Sequence, residues 1–131
     1  MFVDASAWTA ILLSEPEAEA LRLRLAEAEI VMTSAVASWE TARAVGREAV
    51  LDLREAIDEV TALQKLVAAR IVSIGEAEQA VAVEAYARFG KGVHPAKLNM
   101  GDCFAYACAK TNSVPLLYKG DDFALTDIEP A

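Results

Sequence analysis

Five carboxylates stand at positions from which they could act together. Asp4 directly follows a short apolar run, and Asp102 opens an apolar pattern with helical spacing. Glu40 lies in the helix predicted after the second strand, and Asp121 and Asp122 follow the last main apolar run. Because the carboxyl ends of parallel strands meet at one edge of a sheet, we expect the acids near those ends to converge.

Carboxylates gathered in one pocket repel one another and raise one another's pKa values. A divalent cation removes that repulsion, and hard oxygen ligands with room for water suit Mg²⁺ or Mn²⁺. Two such ions about 3.5–4 Å apart can activate a water and stabilise the leaving oxygen in phosphodiester cleavage. The spacing of the acids suggests this chemistry but is not specific to it.

Each acid also has a purely structural interpretation. Asp4 could cap the helix that follows it, and Asp102 could simply favour the positive end of its helix. Glu40 could be a solvated helix residue, and one of Asp121 and Asp122 could be only a turn residue. Most of the other acids fall on the solvent-facing sides of amphipathic helices, where charge is ordinary.

The apolar pattern predicts an alternation of strands and helices. Strands are predicted over residues 1–3, 30–33, 70–74 and 115–118, with a short edge strand over 126–128. Helices are predicted over 6–13, 17–28, 34 to about Gly46, 48–69, 76–89 and 98–110, with Gly46 marking an end or a kink. This order predicts an α/β fold with a mostly parallel sheet of four or five strands, covered on both faces.

The composition limits the class of protein. A chain of 131 residues that is 55% hydrophobic suits one domain, residues 1–131, and excludes disorder. Its net charge of −8 argues against broad nucleic-acid binding, although a bound cation could still bring a phosphate to a local site. No apolar run approaches the ~20 residues that cross a bilayer, and no basic residue precedes the first apolar run, so a cytoplasmic location is expected.

The cysteines and the histidine offer little catalytic chemistry. Cys103 and Cys108 are five residues apart on one predicted helix, a spacing that suits neither zinc nor a disulfide, so we expect buried thiols. His94 is the only histidine and lies in a glycine-rich loop, where an ordinary loop side chain is expected. A zinc site built on histidines or a Ser-His-Asp triad therefore has weak support.

Four segments resemble one family. They read MFVDASA at the start, SWETARA around Glu40, LNMGDCFAYACAK around Asp102, and PLLYKGDDFALTDI near the end. The chain resembles a PIN-domain ribonuclease of the VapC type, the toxin half of a toxin–antitoxin pair. The resemblance implies a three-layer α/β/α sandwich and an endoribonuclease that cleaves RNA with a water activated by Mg²⁺, or by Mn²⁺ in its place.

The resemblance also implies roles for the acids. Asp4 and Asp102 correspond to metal ligands, and Glu40 completes the acidic pocket. The fourth acid is either Asp121 or Asp122. We favour Asp122, because the turn in this family often reads Gly-any-Asp-Phe.

Three further side chains are expected near the pocket. Ser6 resembles the small hydroxyl residue often found beside this site, where it would position a water or a carboxylate, although a plain serine at a helix start fits as well. Lys119 and Arg43 are candidates to contact an RNA phosphate. Surface lysines and arginines are more often simply solvated.

The resemblance implies protein partners as well as an RNA substrate. A cognate antitoxin would lay a segment into an apolar groove of the early helices, with Trp8, Leu12, Leu13 and Trp39 as candidate contacts. The alternative is that both tryptophans belong to the core. The apolar excess also suits a homodimer. The RNA target could be transfer RNA, ribosomal RNA or messenger RNA.

Two other functions are compatible with the sequence. A PIN-like module that has lost catalysis could bind protein or RNA without cleaving it, although the intact set of acids counts against this interpretation. A receiver-like or phosphatase-like domain could use Asp4 as a phosphoacceptor. Such domains usually place paired acids near the first strand, whereas here the pair Asp121 and Asp122 follows the last main strand.

Overall fold

Four parallel strands form one sheet in the computed structural model, which describes residues 1–131. The strands are β1 (Phe2–Val3), β2 (Met32–Ser34), β3 (Arg70–Val72) and β4 (Leu116–Leu117). Their order across the sheet is β3-β2-β1-β4, and every pairing is parallel. The predicted parallel sheet is confirmed, with four strands.

Six helices connect the strands in pairs. They are α1 (Ala5–Leu12), α2 (Ala18–Glu27), α3 (Ala35–Ala49), α4 (Leu53–Leu66), α5 (Glu76–Phe89) and α6 (Met100–Thr111). A short 3₁₀ helix, Phe123–Leu125, follows β4. None of these helices is both long enough and apolar enough to cross a membrane.

The alternation of side chains along the central strands builds the layers. Phe2 and Leu116 pack with α5 and α6 on one face of the sheet, while Val3 and Leu117 pack with α1 and α2 on the other. Neighbouring strand residues point to opposite faces, so two-residue strands can still serve two cores. The result is the predicted three-layer α/β/α arrangement, with a third small cluster between α3 and α4.

The strand order creates a crevice next to β1. The chain passes from β1 outward to β2 and β3, and then crosses back to place β4 on the opposite side of β1. In open α/β sheets, ligands bind outside the carboxyl ends of the strands at such a switch point. The segments that leave β1 and β4, which begin with Asp4 and Tyr118, therefore flank the natural position for a site.

Two predicted helix boundaries are wrong. Helix α3 continues through Gly46 to Ala49 and is followed by Val50 in the left-handed conformation, and α4 begins only at Leu53. Asp52 sets the start of α4, because its side chain accepts bonds from the N–H groups of the first turn and Glu55 completes a capping box. Gly46 instead permits close approach, since a Cβ there would lie 3.3 Å from the Leu51 carbonyl oxygen.

The predicted strand over 126–128 is also wrong. The Thr126 hydroxyl donates to the Phe123 carbonyl at 2.7 Å and accepts from the Ile128 N–H at 3.2 Å. These local bonds compete with a strand ladder, and residues 126–128 form an irregular bend after the 3₁₀ helix. Only Pro130, further on, forms an isolated parallel bridge with Leu116.

The thiols and the histidine contribute to packing. Cys103 and Cys108 are free and buried as predicted, and burial raises the pKa of each thiol to about 11. His94 packs against the Phe89 ring at 5.4 Å, and its Nδ1 accepts from the Ala96 N–H at 3.2 Å. The histidine thus stabilises its loop and is not simply a solvated side chain.

Candidate active site

Asp4 lies at the centre of the crevice and is 3% exposed. Its N–H donates to the Leu117 carbonyl at 2.9 Å, which holds it where β1 meets β4. Its Oδ2 accepts from the Ser6 N–H at 2.9 Å, so Asp4 is indeed the N-cap of α1. Burial raises the pKa of this carboxyl, and the bonds from Ser6 oppose that rise. The capping interpretation and a site interpretation of Asp4 are therefore compatible.

Ser6 joins the two sides of the crevice. Its hydroxyl donates to Asp4 Oδ2 at 2.5 Å and accepts from the Lys119 N–H at 3.0 Å. One side chain thus ties the start of α1 to the segment after β4. The carboxylate of Asp4 is held in one orientation by a neighbour that is itself fixed.

Asp102 is held in the first turn of α6 by a reciprocal pair of bonds. Its Oδ2 accepts from the Asn99 N–H at 2.7 Å, and its N–H donates to Asn99 Oδ1 at 3.2 Å. Burial raises the pKa of Asp102 to about 6; the Asn99 bond opposes this, while the charges of Asp4 and Asp122 add to it. Asp102 therefore helps to start α6 and also lies beside the other acids.

Glu40 enters from α3 and rests against α6 at Gly101. A Cβ on Gly101 would overlap both carboxylate oxygens of Glu40, so only glycine leaves room for this side chain. Burial, together with the charges of Asp4 and Asp102, raises the pKa of Glu40 to about 7, while Arg43 opposes that rise. Glu40 is therefore half-buried against α6 and is not simply a solvated helix residue.

Together Asp4, Glu40 and Asp102 line one cavity of about 380 Å³, and we call these three residues the acidic cup. Asp121 and Asp122 are exposed and lie outside the walls of this cavity. Asp122 is close enough to raise the pKa of Asp102, whereas Asp121 has no such effect on any residue of the cup. The geometry therefore favours Asp122 over Asp121 as the fourth acid.

Lys119 also lines the cavity, but its charge is already paired. Its Nζ lies 2.5 Å from Glu15 Oε2 and 3.2 Å from Glu17 Oε2, and these glutamates raise the pKa of the lysine. The expectation of a lysine free to meet a phosphate is therefore not met. Arg43, in contrast, takes part in none of the six ion pairs of the structure.

The two tryptophans have different environments. Trp8 is 0% exposed, and its Nε1 donates to Thr33 Oγ1 at 3.1 Å. It is a core residue, so its predicted role in a docking groove is wrong. Trp39 is 49% exposed and lies beside Glu40 in the sequence. The apolar groove of the early helices is lined by other residues, among them Leu25 and Leu63, and has a volume of about 700 Å³.

The repulsion within the cup should appear in the pH dependence of stability. In the unfolded chain Glu40 releases its proton near its ordinary pKa of 4.5, whereas in the folded protein it does so at about 7. Between these values the folded protein binds more protons, so this group lowers the free energy of unfolding as the pH rises. The stability contributed by the protonated form is present below the unfolded pKa and is lost as the pH rises through the folded pKa.

Removing the titrating group should remove that loss. Denaturant unfolding of the wild type and of Glu40→Gln, at about pH 5 and about pH 7.5 without divalent ions, measures the difference. We expect the variant to lose less stability over this interval. Carboxyls outside the cup titrate alike in both proteins, so an equal loss in the two would contradict the raised pKa.

The cup offers oxygen donors suited to a hard cation. No group of three or more His, Cys, Asp or Glu side chains is close enough to enclose a metal ion by itself. Mg²⁺ usually binds one or two carboxylates and keeps several waters, so it does not need such an enclosure. Asp4 and Asp102 both offer carboxylate oxygens, and their negative charges repel each other. They therefore fit this donor set.

Sequence reasoning did not identify three residues that shape the cup. Asn99 could have been found, because Asn followed three residues later by an acid is a capping-box pattern. Gly101 and Glu15 gave no such signal. Their roles depend on contacts with α3 and with the segment after β4, which are distant in the sequence.

Comparison with known proteins matches nearly the whole chain to one protein family. The PIN domain family model matches residues 1–129. A VapC ribonuclease of Rhizobium meliloti is 39% identical over 139 residues, covering 97% of this chain and 98% of that protein. A ribonuclease VapC of Mycolicibacterium smegmatis is 40% identical over 137 residues, covering 98% and 97%.

A solved structure shares the fold. The crystal structure of Mycobacterium tuberculosis VapC20, described as a toxin that cleaves the sarcin–ricin loop, superposes with a TM-score of 0.78. The alignment covers 99% of this chain and 97% of that one, at 20% sequence identity. At this identity the likeness concerns the α/β architecture alone.

Proposed function

Since the chain belongs to the PIN-domain family of VapC ribonucleases, we propose that its acidic cup cleaves RNA with the help of a divalent metal ion. The protein then acts as the toxin of a VapBC toxin–antitoxin pair, with residues 1–131 as a single PIN domain. The observation that carries the proposal is the meeting of Asp4, Glu40 and Asp102 in one cavity at the β1–β4 crevice. Residues 98 positions apart in the sequence have no structural need to share a cavity.

The charges of the cup support a cation as its ligand. Each of the three carboxyls has a raised pKa, and mutual repulsion contributes for Glu40 and Asp102. We assign Asp4 and Asp102 as the residues that would hold Mg²⁺ or Mn²⁺. When bound, such an ion would offset the charge of the RNA phosphate and make a water a stronger nucleophile.

The residues of the chain have separate tasks in this proposal. Ser6 keeps the Asp4 carboxylate oriented, and Asn99 does the same for Asp102. Glu40 accepts a hydrogen bond from the attacking water and orients it. Its carboxylate can also take up a proton from that water. Asp122, outside the cavity, adds negative charge beside Asp102.

Addition of Mg²⁺ or Mn²⁺ should stabilise the protein and start cleavage. Binding to the folded state alone raises the free energy of unfolding by about 2.7 kcal/mol at an ion concentration 100 times Kd. A thermal-shift titration measures this effect, and an RNA cleavage assay in EDTA with and without added Mg²⁺ measures the requirement. We expect a higher Tm with the ion and cleavage only when the ion is present.

The same assays with Asp102→Asn supply the control. This variant should lose most of the shift in Tm. Cleavage that continues undiminished in EDTA would contradict the metal requirement. A shift in Tm without cleavage of any RNA would favour the rival function, an inactive PIN-like module that binds RNA or protein.

Two apolar surfaces are available for protein partners. We propose that the cognate antitoxin occupies the groove between α1, α2 and α4, where Leu66 is 82% exposed. We assign a homodimer to the face between α5 and α6, where Val83 and Met100 are 66% and 64% exposed. Light scattering of the free chain and of its mixture with the antitoxin tests both assignments. A free monomer that forms no complex would contradict them.

A further inference from the structure

Helix α3 carries an aromatic–cationic pair directly beside the cup. Trp39 and Arg43 are four residues apart and therefore lie on the same side of the helix. The guanidinium carbon of Arg43 lies 4.9 Å from the centre of the Trp39 ring. Glu40, a residue of the cup, is next to Trp39 in the sequence, and Arg43 is near enough to lower its pKa. The pair therefore lies near the candidate active site.

Neither side chain has a structural partner that would explain the pair. Trp39 is 49% exposed although Arg43 covers one side of its ring. Arg43 is exposed and makes no ion pair and no hydrogen bond. Both side chains are therefore accessible to a ligand.

The surface around the pair is positively charged in an acidic protein. A groove of about 420 Å³ is lined by seven residues that include Trp39, Arg43 and Arg47 but no Asp or Glu. Arg47 is bonded to its neighbour Glu48 at 2.9 Å, so Arg43 is the unpaired charge. The whole chain carries a net charge of −8, so the groove is opposite in sign to the net charge of the molecule.

We propose that Trp39 and Arg43 form an RNA subsite, in which the tryptophan stacks on a base and the arginine binds a phosphate next to the cleaved bond. This inference rests on the proposed ribonuclease function. Single-stranded RNA is bound by aromatic side chains that stack on splayed bases and by arginines that contact the backbone. The positive charge of the groove attracts the RNA backbone, whereas the acidic cup by itself repels a phosphate.

Because stacking accepts every base, the subsite holds the RNA without reading its sequence. Arg43 offsets the repulsion between the cup and the backbone of the bound RNA, and Trp39 holds a base, so both act mainly on binding, although Arg43 also lowers the pKa of Glu40. The pair should therefore affect KM more than kcat. This separates it from the carboxylates of the cup, which should affect kcat.

Binding of a short fluorescein-labelled RNA of random sequence, measured by anisotropy in EDTA, tests the subsite. We expect Trp39→Ala to weaken binding about tenfold, with Trp39→Phe between it and the wild type. Arg43→Ala should lower the slope of log K against log salt by about 1, as expected for one lost phosphate contact. The matched control is Arg24→Ala, which removes the same charge from α2 and should bind as the wild type.

Tryptophan fluorescence provides a second readout, because Trp8 is buried and Trp39 is exposed. RNA should quench the emission of the wild type and leave that of Trp39→Phe unchanged. Wild-type affinity in Trp39→Ala and Arg43→Ala would overturn the subsite. So would variants that bind RNA normally and lose only their inhibition by the antitoxin, since the groove would then dock a protein.

Two outcomes distinguish a wrong assignment of the subsite from a wrong proposed function. If Trp39→Ala binds and cleaves as the wild type while Asp102→Asn is inactive, the subsite alone is wrong. If Asp102→Asn cleaves normally, the assignment of the cup is wrong. Quenching of Trp39 by RNA in Asp102→Asn would still support the subsite, because binding does not require the cup.

Discussion

Asp102→Asn is expected to lower the rate of RNA cleavage about 100- to 1,000-fold while the protein stays folded. The amide keeps the shape of the side chain, and its oxygen can still accept the bond from the Asn99 N–H. What it removes is the charge that would hold the cation. Single-turnover cleavage measures the loss, and a thermal melt shows that the fold is intact. Without the ion, the variant should be at least as stable as the wild type, because one source of repulsion in the cup is gone.

Matched substitutions show whether the effect belongs to the cup. Asp58→Asn makes the same change at an exposed position of α4 and should cleave as the wild type. Asp4→Asn should be as inactive as Asp102→Asn. Asp122→Asn should reduce cleavage more than Asp121→Asn, because only Asp122 influences the cup. A wild-type rate in either Asp102→Asn or Asp4→Asn would show that the cup is not the site of cleavage.

Gly101→Ala is expected to lower cleavage on the order of 100-fold, although the added methyl group carries no charge. Its Cβ would overlap both carboxylate oxygens of Glu40, so Glu40 must turn away from the cup. A displacement of about 1 Å in a positioning group can cost this much in rate. Alanine also favours a helix more than glycine does, so the stability of α6 should not fall for local reasons.

The partner of Gly101 can be identified with a double-variant cycle. If the methyl group acts through Glu40, then Gly101→Ala should have little further effect on Glu40→Gln. Gly75→Ala is the control, because a Cβ there makes only an ordinary contact at 3.6 Å with Glu78. Losses that simply multiply in the double variant would mean that Gly101 acts by another route.

Much of the fold was predictable because its signals are local. Apolar spacing identified the order of strands and helices, and the predicted helix over 76–89 matches α5 residue for residue. Predictions failed where side chains made bonds that spacing does not reveal. The bonds of the Thr126 hydroxyl replaced the expected strand at 126–128 with an irregular bend, and the capping box of Asp52 moved the start of α4.

The tryptophans show the same limit at the functional surface. Trp8 and Trp39 both lie on amphipathic helices, and their sequence surroundings did not distinguish them. Trp8 turns toward the sheet and bonds to Thr33, whereas Trp39 faces solvent beside Arg43. The difference depends on which side of each helix meets the sheet. It is therefore set by packing between distant segments.

The sequence by itself determined the order of the elements and the acids that could form a site, because apolar periodicity and helix caps act over a few residues. Only the tertiary structure decided which acids meet. Placing β4 beside β1, and not beside β3, brings the segment after β4 next to Asp4. The contact of α3 with α6 at Gly101 then admits Glu40 to the cup. Both depend on contacts between residues far apart in the chain, which no local pattern encodes.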